Sequence, residues 1–206
     1  MKDPVIHFHR GDLPDDVQFS NVIGVDTETM GLNLYRDPLC VVQLSDGDGE
    51  AHVVQLDRQT YDAPNLKAVL GDQSRIKIFH YARFDVAVIR QYLDTECTPV
   101  YCTRTVSRLV RTYTDRHGLR ECCRDLLRVE INKQQQSTDW GAEDLSDAQL
   151  LYAATDVLHL HKLKAKMDMM LERAGRTELA QKCFDFIPVR AELDALGWGS
   201  QDLFEH

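Results

Sequence analysis

The heptapeptide Val22-Ile23-Gly24-Val25-Asp26-Thr27-Glu28 carries the strongest structural signal in this chain. Its apolar first half predicts a buried strand over 22–26, and Gly31 soon afterwards predicts a turn. Residues two apart on a strand point to the same side, so Asp26 and Glu28 can share one cation. Two carboxylates at the end of an apolar strand are costly unless a cation accompanies them. The stretch therefore predicts a cation site at the exit of a strand.

Two further acidic signals follow along the chain. Asp85 ends the stretch His80-Tyr81-Ala82-Arg83-Phe84-Asp85, directly after a predicted strand. Taken alone, Asp85 would be an ordinary acid in the first turn of a helix. Tyr152 and Asp156 are one helical turn apart, on one face of a mostly buried helix where an aspartate needs a partner. Together the four carboxylates and the tyrosine predict a two-metal site that cleaves phosphodiesters.

The composition predicts one globular domain without a membrane segment. The chain has 206 residues, 43% of them hydrophobic, and no apolar run approaches the length of a membrane span. The N-terminus has no signal-peptide pattern and the six cysteines lack zinc-site spacing, so we expect reduced thiols in a cytoplasmic protein. The net charge of −9 argues against a broad basic surface for long nucleic acid and favours a small footprint on the substrate.

The hydrophobic pattern predicts an α/β fold, a three-layer domain in which a mixed five-stranded sheet is flanked by helices. A polar turn over 46–50 is expected to join two strands as a hairpin. Pro188 is expected to interrupt or restart the last helix. No linker or repeat divides the chain, which predicts a single domain. The strands are predicted at 22–26, 39–45, 51–56, 76–79 and 99–101, and the helices at 64–70, 83–93, 103–110, 118–129, 146–174 and 176–196.

The order of these acidic motifs resembles the DEDD superfamily of 3′-to-5′ exonucleases. The Tyr-x-x-x-Asp motif at 152–156 is similar to that of the DEDDy branch, which includes ribonuclease D. Gln136-Ser137-Thr138-Asp139-Trp140 and the stretch 145–157 also resemble ribonuclease D. The similarity extends over roughly residues 20–170, and strings of this length are more specific than single acid pairs.

This resemblance implies an RNase H-like (DnaQ-like exonuclease) fold. It implies one 3′-to-5′ exonuclease domain over 1–206, with the catalytic motifs within 22–160 and C-terminal helices and a tail over 176–206. We expect no counterpart of the C-terminal helical nucleic-acid-binding domains of full-length ribonuclease D.

Two further segments resemble the nano-RNase C group: Phe8-His9-Arg10-Gly11-Asp12-Leu13-Pro14 and Trp198-Gly199-Ser200-Gln201-Asp202-Leu203-Phe204. Members of that group degrade very short RNAs, notably diribonucleotides, and assemble as ring-shaped octamers. The resemblance implies a cytoplasmic homo-octamer that hydrolyses dinucleotides such as pGpG to 5′-mononucleotides. The apolar tail at 196–198 and 203–204 is a candidate subunit contact.

The resemblance also assigns roles to the five catalytic candidates. Asp26 would bridge two Mg²⁺ or Mn²⁺ ions. Glu28 and Asp156 would complete the first ion, and Asp85 would hold the second. Tyr152 would orient the attacking water, since its ordinary pKa near 10 makes it a poor base at neutral pH. Ligands that are all hard oxygens suit magnesium or manganese better than zinc.

Substrate-binding candidates surround these five residues. Leu32 resembles a leucine that wedges between substrate bases in related exonucleases, and the alternative is an exposed turn residue. His80 is a candidate contact to the scissile nucleotide or its sugar, and the alternative is a histidine that bonds to backbone. Arg104, Arg108 and Arg111 form a predicted helical stripe, either a phosphate contact or a solvated face. The other candidates are Thr27, Met30, Lys133, Gln136 and Trp140, the last also a candidate core residue.

Three other functions fit parts of the sequence. The first is trimming of longer or structured RNA, such as tRNA 3′ ends, as ribonuclease D does. The second is DNA exonuclease activity, because contacts to a 2′-hydroxyl leave no sequence signature. The third is a catalytically inactive scaffold, which we would expect to have lost at least one of the five catalytic candidates.

Overall fold

The fold is built on a six-stranded mixed sheet. The structure is a computed structural model that describes residues 4–131, 135, 137–199, 201, 203 and 205. The strands are β1 (Val5–Arg10), β2 (Val22–Thr29), β3 (Leu39–Ser45), β4 (Glu50–Gln55), β5 (Ile76–Phe79) and β6 (Val100–Cys102). Their order across the sheet is β1-β4-β3-β2-β5-β6. The pairs β2/β3 and β3/β4 are antiparallel, and β1/β4, β2/β5 and β5/β6 are parallel.

The predicted α/β class with a mixed sheet is confirmed, but the predicted count of five strands is wrong. The hydrophobic pattern misses β1 because half of its six residues are histidine or arginine and it lies at the edge of the sheet. The predicted strand over 22–26 is also too short. Because β2 continues to Thr29, Asp26 and Glu28 lie inside the strand and not beyond its end.

Seven α-helices are formed by the described residues. They are α1 (Pro64–Gly71), α2 (Ala82–Leu93), α3 (Thr103–Val110), α4 (Leu119–Cys122), α5 (Asp147–Leu158), α6 (Leu160–Ala174) and α7 (Thr177–Leu193). One turn of π-helix follows α4 at Cys123–Leu127, and another follows α7 at Asp194–Trp198.

Three predicted helices differ from the observed ones. The helix predicted over 118–129 is the four-residue α4 followed by a turn of π-helix. The helix predicted over 146–174 is two helices, because His159 (φ −104°, ψ −6°) breaks it between α5 and α6. Pro188 does not interrupt α7, contrary to the prediction. Ile187 and Ala191 are buried on either side of this position, so core packing outweighs the hydrogen bond that proline removes.

The position of α5 against the sheet depends on Gly24. A β-carbon at Gly24 would lie 3.0 Å from the carbonyl oxygen of Val157, so glycine permits this close approach of α5 to β2. Asp26 and Glu28 follow Gly24 at intervals of two residues and therefore share its face. Thr27 points to the opposite face, where α2 lies. The two sides of β2 thus present different residues to the two helices.

A buried arginine replaces part of the predicted arginine stripe. Arg111 is 0% exposed, and its guanidinium donates to the Asp125 carboxylate at 2.5 Å and to the Arg116 carbonyl at 3.0 Å. The prediction that it shares a stripe with Arg104 and Arg108 is wrong, because α3 ends at Val110 and the next residue turns inward.

Cysteine burial agrees with the thiols expected from the sequence. Five of the six cysteines are buried, and Cys183 is half-buried. None of the helices that the structure describes is both long enough and apolar enough to span a membrane.

Candidate active site

Three of the predicted carboxylates meet between β2 and α5. Each of Asp26, Glu28 and Asp156 offers an oxygen, and the three oxygens lie within 4.8 Å of one another. Asp26 and Glu28 come from one face of β2, and Asp156 comes from the helix that Gly24 allows to approach. This is the only group of potential metal ligands with such spacing among the described residues.

Asp85 reaches the same region from α2, on the other side of β2. It is 4% exposed and lies in the first turn of the helix. The Thr27 hydroxyl donates a hydrogen bond to the Asp85 carboxylate at 2.6 Å. Thr27 is a predicted substrate-binding residue, and the structure shows its hydroxyl orienting the fourth carboxylate.

The electrostatics of the cluster favour a bound cation. Burial, followed by the charges of its acidic neighbours, raises the pKa of Asp26 well above its usual value. The same two causes raise the pKa of Glu28. Burial raises the pKa of Asp85 to about 7 against the opposing effect of hydrogen bonds. Among the described residues, no lysine or arginine contributes to these three shifts.

The residues present therefore fit a divalent ion of the magnesium type. All the candidate ligands are hard carboxylate oxygens, and they are held close together although their charges repel. Such an arrangement is costly unless a positive ion neutralises it. When bound, such an ion would acidify a water molecule and stabilise charge on a phosphodiester.

Tyr152 lies directly beside the carboxylates. Burial raises its pKa, with further contributions from Asp156 and Glu28, so the phenol stays protonated at neutral pH. Its ring packs against Trp140, with ring centroids 6.0 Å apart. Trp140 is 2% exposed and lines the site from beneath, so it both supports Tyr152 and belongs to the core.

The cluster lies in an open cleft of about 570 Å³. Its rim carries two exposed apolar side chains, Leu32 at 83% exposed and Met30 at 52% exposed. His80 also lines the cleft, and its Nδ1 lies 2.9 Å from the Thr103 hydroxyl. The structure thus brings all five catalytic candidates and the five substrate-binding candidates Leu32, His80, Thr27, Met30 and Trp140 into one cleft.

Comparisons with known proteins agree with this geometry. A family model described as a 3′-5′ exonuclease matches residues 11–172. The chain belongs to this 3′-5′ exonuclease family. Ribonuclease D of Gluconacetobacter diazotrophicus is 33% identical over 156 residues, which is 76% of this chain and 39% of that protein. The chain therefore spans about two fifths of the length of this relative.

Solved structures of NrnC from Brucella melitensis, a nano-RNase C, resemble this exonuclease over almost its whole length. One is 55% identical with a TM-score of 0.94 and covers 98% of both chains. Another, with bound Mg²⁺, is 53% identical with a TM-score of 0.93 and covers 98% of this chain and 99% of that one. A third, bound to pGG, is 54% identical with a TM-score of 0.94 and the same coverage. The resemblance to ribonuclease D and to the nano-RNase C group is confirmed.

One polar residue of the exonuclease site escapes the sequence patterns. Gln43 is 0% exposed and donates a hydrogen bond to the Asp26 carboxylate at 2.8 Å. It also lowers the pKa of Glu28, against the effect of burial. The available signal is that Gln43 is polar within the otherwise apolar run Leu39-Cys40-Val41-Val42-Gln43-Leu44. Of the other candidates, Lys133 and Gln136 lie outside the described residues.

Proposed function

We propose that this chain is a metal-dependent 3′-5′ exoribonuclease that hydrolyses very short RNAs, especially diribonucleotides, to 5′-mononucleotides. The observation that carries the proposal is the buried carboxylate cluster at the base of a small open cleft. We further propose that the cluster works with two ions, Mg²⁺ or Mn²⁺, held by Asp26, Glu28, Asp85 and Asp156. Two-ion sites of this chemistry clamp the attacking and leaving oxygens of a phosphodiester.

The protein's own groups supply the positioning. The phenol of Tyr152 is protonated at neutral pH, so it acts as a hydrogen-bond donor that orients water and not as the base. Gln43 and Thr27 donate to Asp26 and Asp85 and hold these carboxylates in fixed orientations. Such preorganisation removes the need to rearrange the site during the reaction.

The size and the rim of the cleft support a short substrate. A volume of about 570 Å³ lies in the range that proteins use for ligands of small-molecule size. Leu32 is exposed at this rim, where its side chain can stack against a base or separate two bases. The relative bound to pGG is 54% identical to this chain, and the relative with bound Mg²⁺ is 53% identical.

The proposal extends to assembly and location. Leu196, Trp198 and Leu203 are 62%, 40% and 47% exposed in the single chain, which is costly unless a partner covers them. We propose that they contribute to contacts in a cytoplasmic homo-octamer. Light scattering of the purified protein tests the assembly, and a stable monomer at micromolar concentration would contradict it.

A length series of 5′-labelled RNAs, from two to seven nucleotides, tests the substrate proposal. We expect single-turnover rates with Mg²⁺ to be highest for the dinucleotide and to fall by about tenfold or more at seven nucleotides. DNA dinucleotides of the same sequence serve as a second series. Equal rates on long RNA would favour ribonuclease D-like trimming, and faster cleavage of DNA would favour a DNA exonuclease.

Leu32→Ala is the matched variant for this series. The side chain is 83% exposed, so its truncation should leave the melting temperature unchanged. We expect KM for the dinucleotide to rise several-fold while kcat changes little, because the contact is to a base and not to the reacting phosphate. An unchanged KM would identify Leu32 as an exposed turn residue.

A further inference from the structure

A second depression adjoins the catalytic cleft. Its volume is about 330 Å³, and it is lined by residues of α2, α3 and α7. Tyr81 and Arg104 line both cavities, so the two cavities are adjacent. The residues that give the depression its character are Arg83, Arg104, Arg108, Arg190, Tyr81 and Phe186, and we call it the arginine depression.

The arginine depression has an excess of positive charge. No acidic side chain lines it among the described residues. The nearest carboxylate in contact is that of Asp194, which Arg83 and Arg190 share at 2.6 Å and 3.1 Å. Among the described residues, neither Arg104 nor Arg108 forms an ion pair with a carboxylate. Arg83 and Arg190 are held by Asp194 and also donate to backbone carbonyls at 198–199. The excess positive charge is therefore that of Arg104 and Arg108, in a chain whose net charge is −9.

The positive field extends beyond the depression itself. The pKa of His117 is lowered first by burial and then by the charges of Arg108, Arg111 and Arg104. Arg111 is neutralised by Asp125, but Arg104 and Arg108 have no such partner in the described residues. This side of α3 is thus a local positive region on an acidic protein, which favours anionic ligands.

Aromatic side chains border the same arginines. Tyr81 is 46% exposed and Phe186 is 41% exposed. The guanidinium of Arg104 lies over the Tyr81 ring, 4.9 Å from its centroid, which holds the cation in place by a cation–π contact. Exposed aromatic rings stack on nucleobases, and arginine forks bind phosphate oxygens in pairs. The depression therefore offers aromatic rings for a base and guanidinium groups for a phosphate.

We propose that the arginine depression binds one phosphate-bearing nucleotide unit outside the catalytic cleft. Arg104 and Arg108 bind the phosphate, and Tyr81 or Phe186 stacks on the base. The unit has two possible sources: a third nucleotide of an RNA that extends past Tyr81, or a free 5′-mononucleotide. The first source rests on the proposed exoribonuclease function, whereas the second does not.

Calorimetric binding in EDTA tests the proposal without turnover. The probes are GMP, a diribonucleotide and the triribonucleotide that extends it by one nucleotide at the 5′ side. Arg108→Gln removes one guanidinium that lines the arginine depression but not the cleft. Arg173→Gln is the matched control, because this substitution makes the same change in charge. Arg173 is exposed near the end of α6 and does not line the depression.

The expected result is a selective loss of affinity in Arg108→Gln. Loss of one charge-assisted contact to phosphate should weaken the affected ligand roughly tenfold. If RNA is the source of the bound unit, the variant binds the triribonucleotide more weakly than the wild type does, and it binds the diribonucleotide equally well. If a free nucleotide is the source, the variant has a lower affinity for GMP. The wild-type protein then binds GMP even when it is saturated with the diribonucleotide.

The proposal is overturned if Arg108→Gln and Arg173→Gln bind all three probes equally well. This failure would be separate from failure of the exoribonuclease proposal. The exoribonuclease proposal is tested by turnover with Mg²⁺, whereas the nucleotide-binding proposal is tested by binding in EDTA.

Discussion

Two of the places where the described residues bury charge differ in how the protein compensates it. The guanidinium of Arg111 is fully buried, yet it donates to the Asp125 carboxylate and to a backbone carbonyl. Asp26 and Glu28 are placed among further carboxylates, where the described residues offer hydrogen bonds but no cation. The first arrangement is complete within the chain and stabilises the fold. The second becomes favourable only with a ligand, and this difference marks it as the candidate functional site.

The largest effect is expected from Asp26→Ala. Loss of this carboxylate should lower phosphodiester cleavage by about a thousandfold or more, because metal positioning contributes several kcal/mol to such reactions. The melting temperature in EDTA should stay the same or rise, since one member of a repelling cluster is removed. Cleavage rates with Mg²⁺ measure the loss of activity, and thermal unfolding in EDTA measures the stability.

Wild-type protein in excess EDTA is the control for this variant and should be equally inactive. Near-normal turnover by either sample would contradict the metal assignment. A large fall in the melting temperature of Asp26→Ala would show instead that the cluster is compensated within the chain, as Arg111 is.

The uncompensated cluster also predicts an unusual pH dependence of the metal-free protein. The folded-state pKa of Asp85 is about 7, above the ordinary value near 4, so the folded state binds more protons between these values. The contribution of Asp85 to the free energy of unfolding should therefore be complete below about pH 4 and be lost as pH rises towards 7. At about 1.4 kcal/mol per pKa unit, Asp85 alone accounts for roughly 4 kcal/mol.

Chemical unfolding in EDTA between pH 5 and pH 8 measures this loss. Asp85→Asn is the matched control, because it removes the titrating carboxyl while leaving the histidines of the protein unchanged. Saturating Mg²⁺ should also remove most of the loss, because the ion stabilises the ionised carboxylates. Stability that rises over this range, with no effect of Mg²⁺ or of the variant, would contradict the interpretation.

Substitution of the compensated residue Arg111 is expected to lower stability and to leave the cleavage rate unchanged. Arg111→Ala should lower the free energy of unfolding by about 3 kcal/mol, because it leaves a cavity and removes the partner of Asp125. The melting temperature should fall by about 8 °C for a chain of this length. The cleavage rate of the protein that remains folded should stay close to that of the wild type. Arg108→Ala, an exposed arginine on the same helix, should change stability by less than about 0.5 kcal/mol.

The same comparison explains what the sequence could predict. Asp26, Glu28, Asp85, Tyr152 and Asp156 could be found because each lies at a fixed position relative to a strand or helix with a clear apolar pattern. Arg111 was misplaced because its inward turn depends on the end of α3 and on Asp125, which is distant from it in sequence. Features that depend on contacts between distant segments leave no periodic signal.

Two further misses have the same physical origin. The edge strand β1 is stabilised by its pairing with β4 and not by an apolar pattern of its own. Gln43 is placed beside Asp26 by the antiparallel register of β2 and β3, which puts the two residues directly opposite each other. Neither the pairing nor the register can be read from either segment alone.

The smallest effect in this series is expected from Tyr152→Phe, and it tests whether the uncompensated site also depends on a neutral donor. The substitution keeps the ring that packs on Trp140, so the melting temperature should barely change. It removes the hydroxyl that interacts with Asp156, so single-turnover cleavage should slow by about tenfold or more. Affinity for Mg²⁺, measured by calorimetry, should be nearly unchanged because no carboxylate is lost. If the variant instead lost stability and kept its rate, Tyr152 would be a core residue that happens to line the cleft. Because its raised pKa keeps the phenol protonated throughout the neutral range, the wild-type rate should show no ionisation of Tyr152 up to about pH 10.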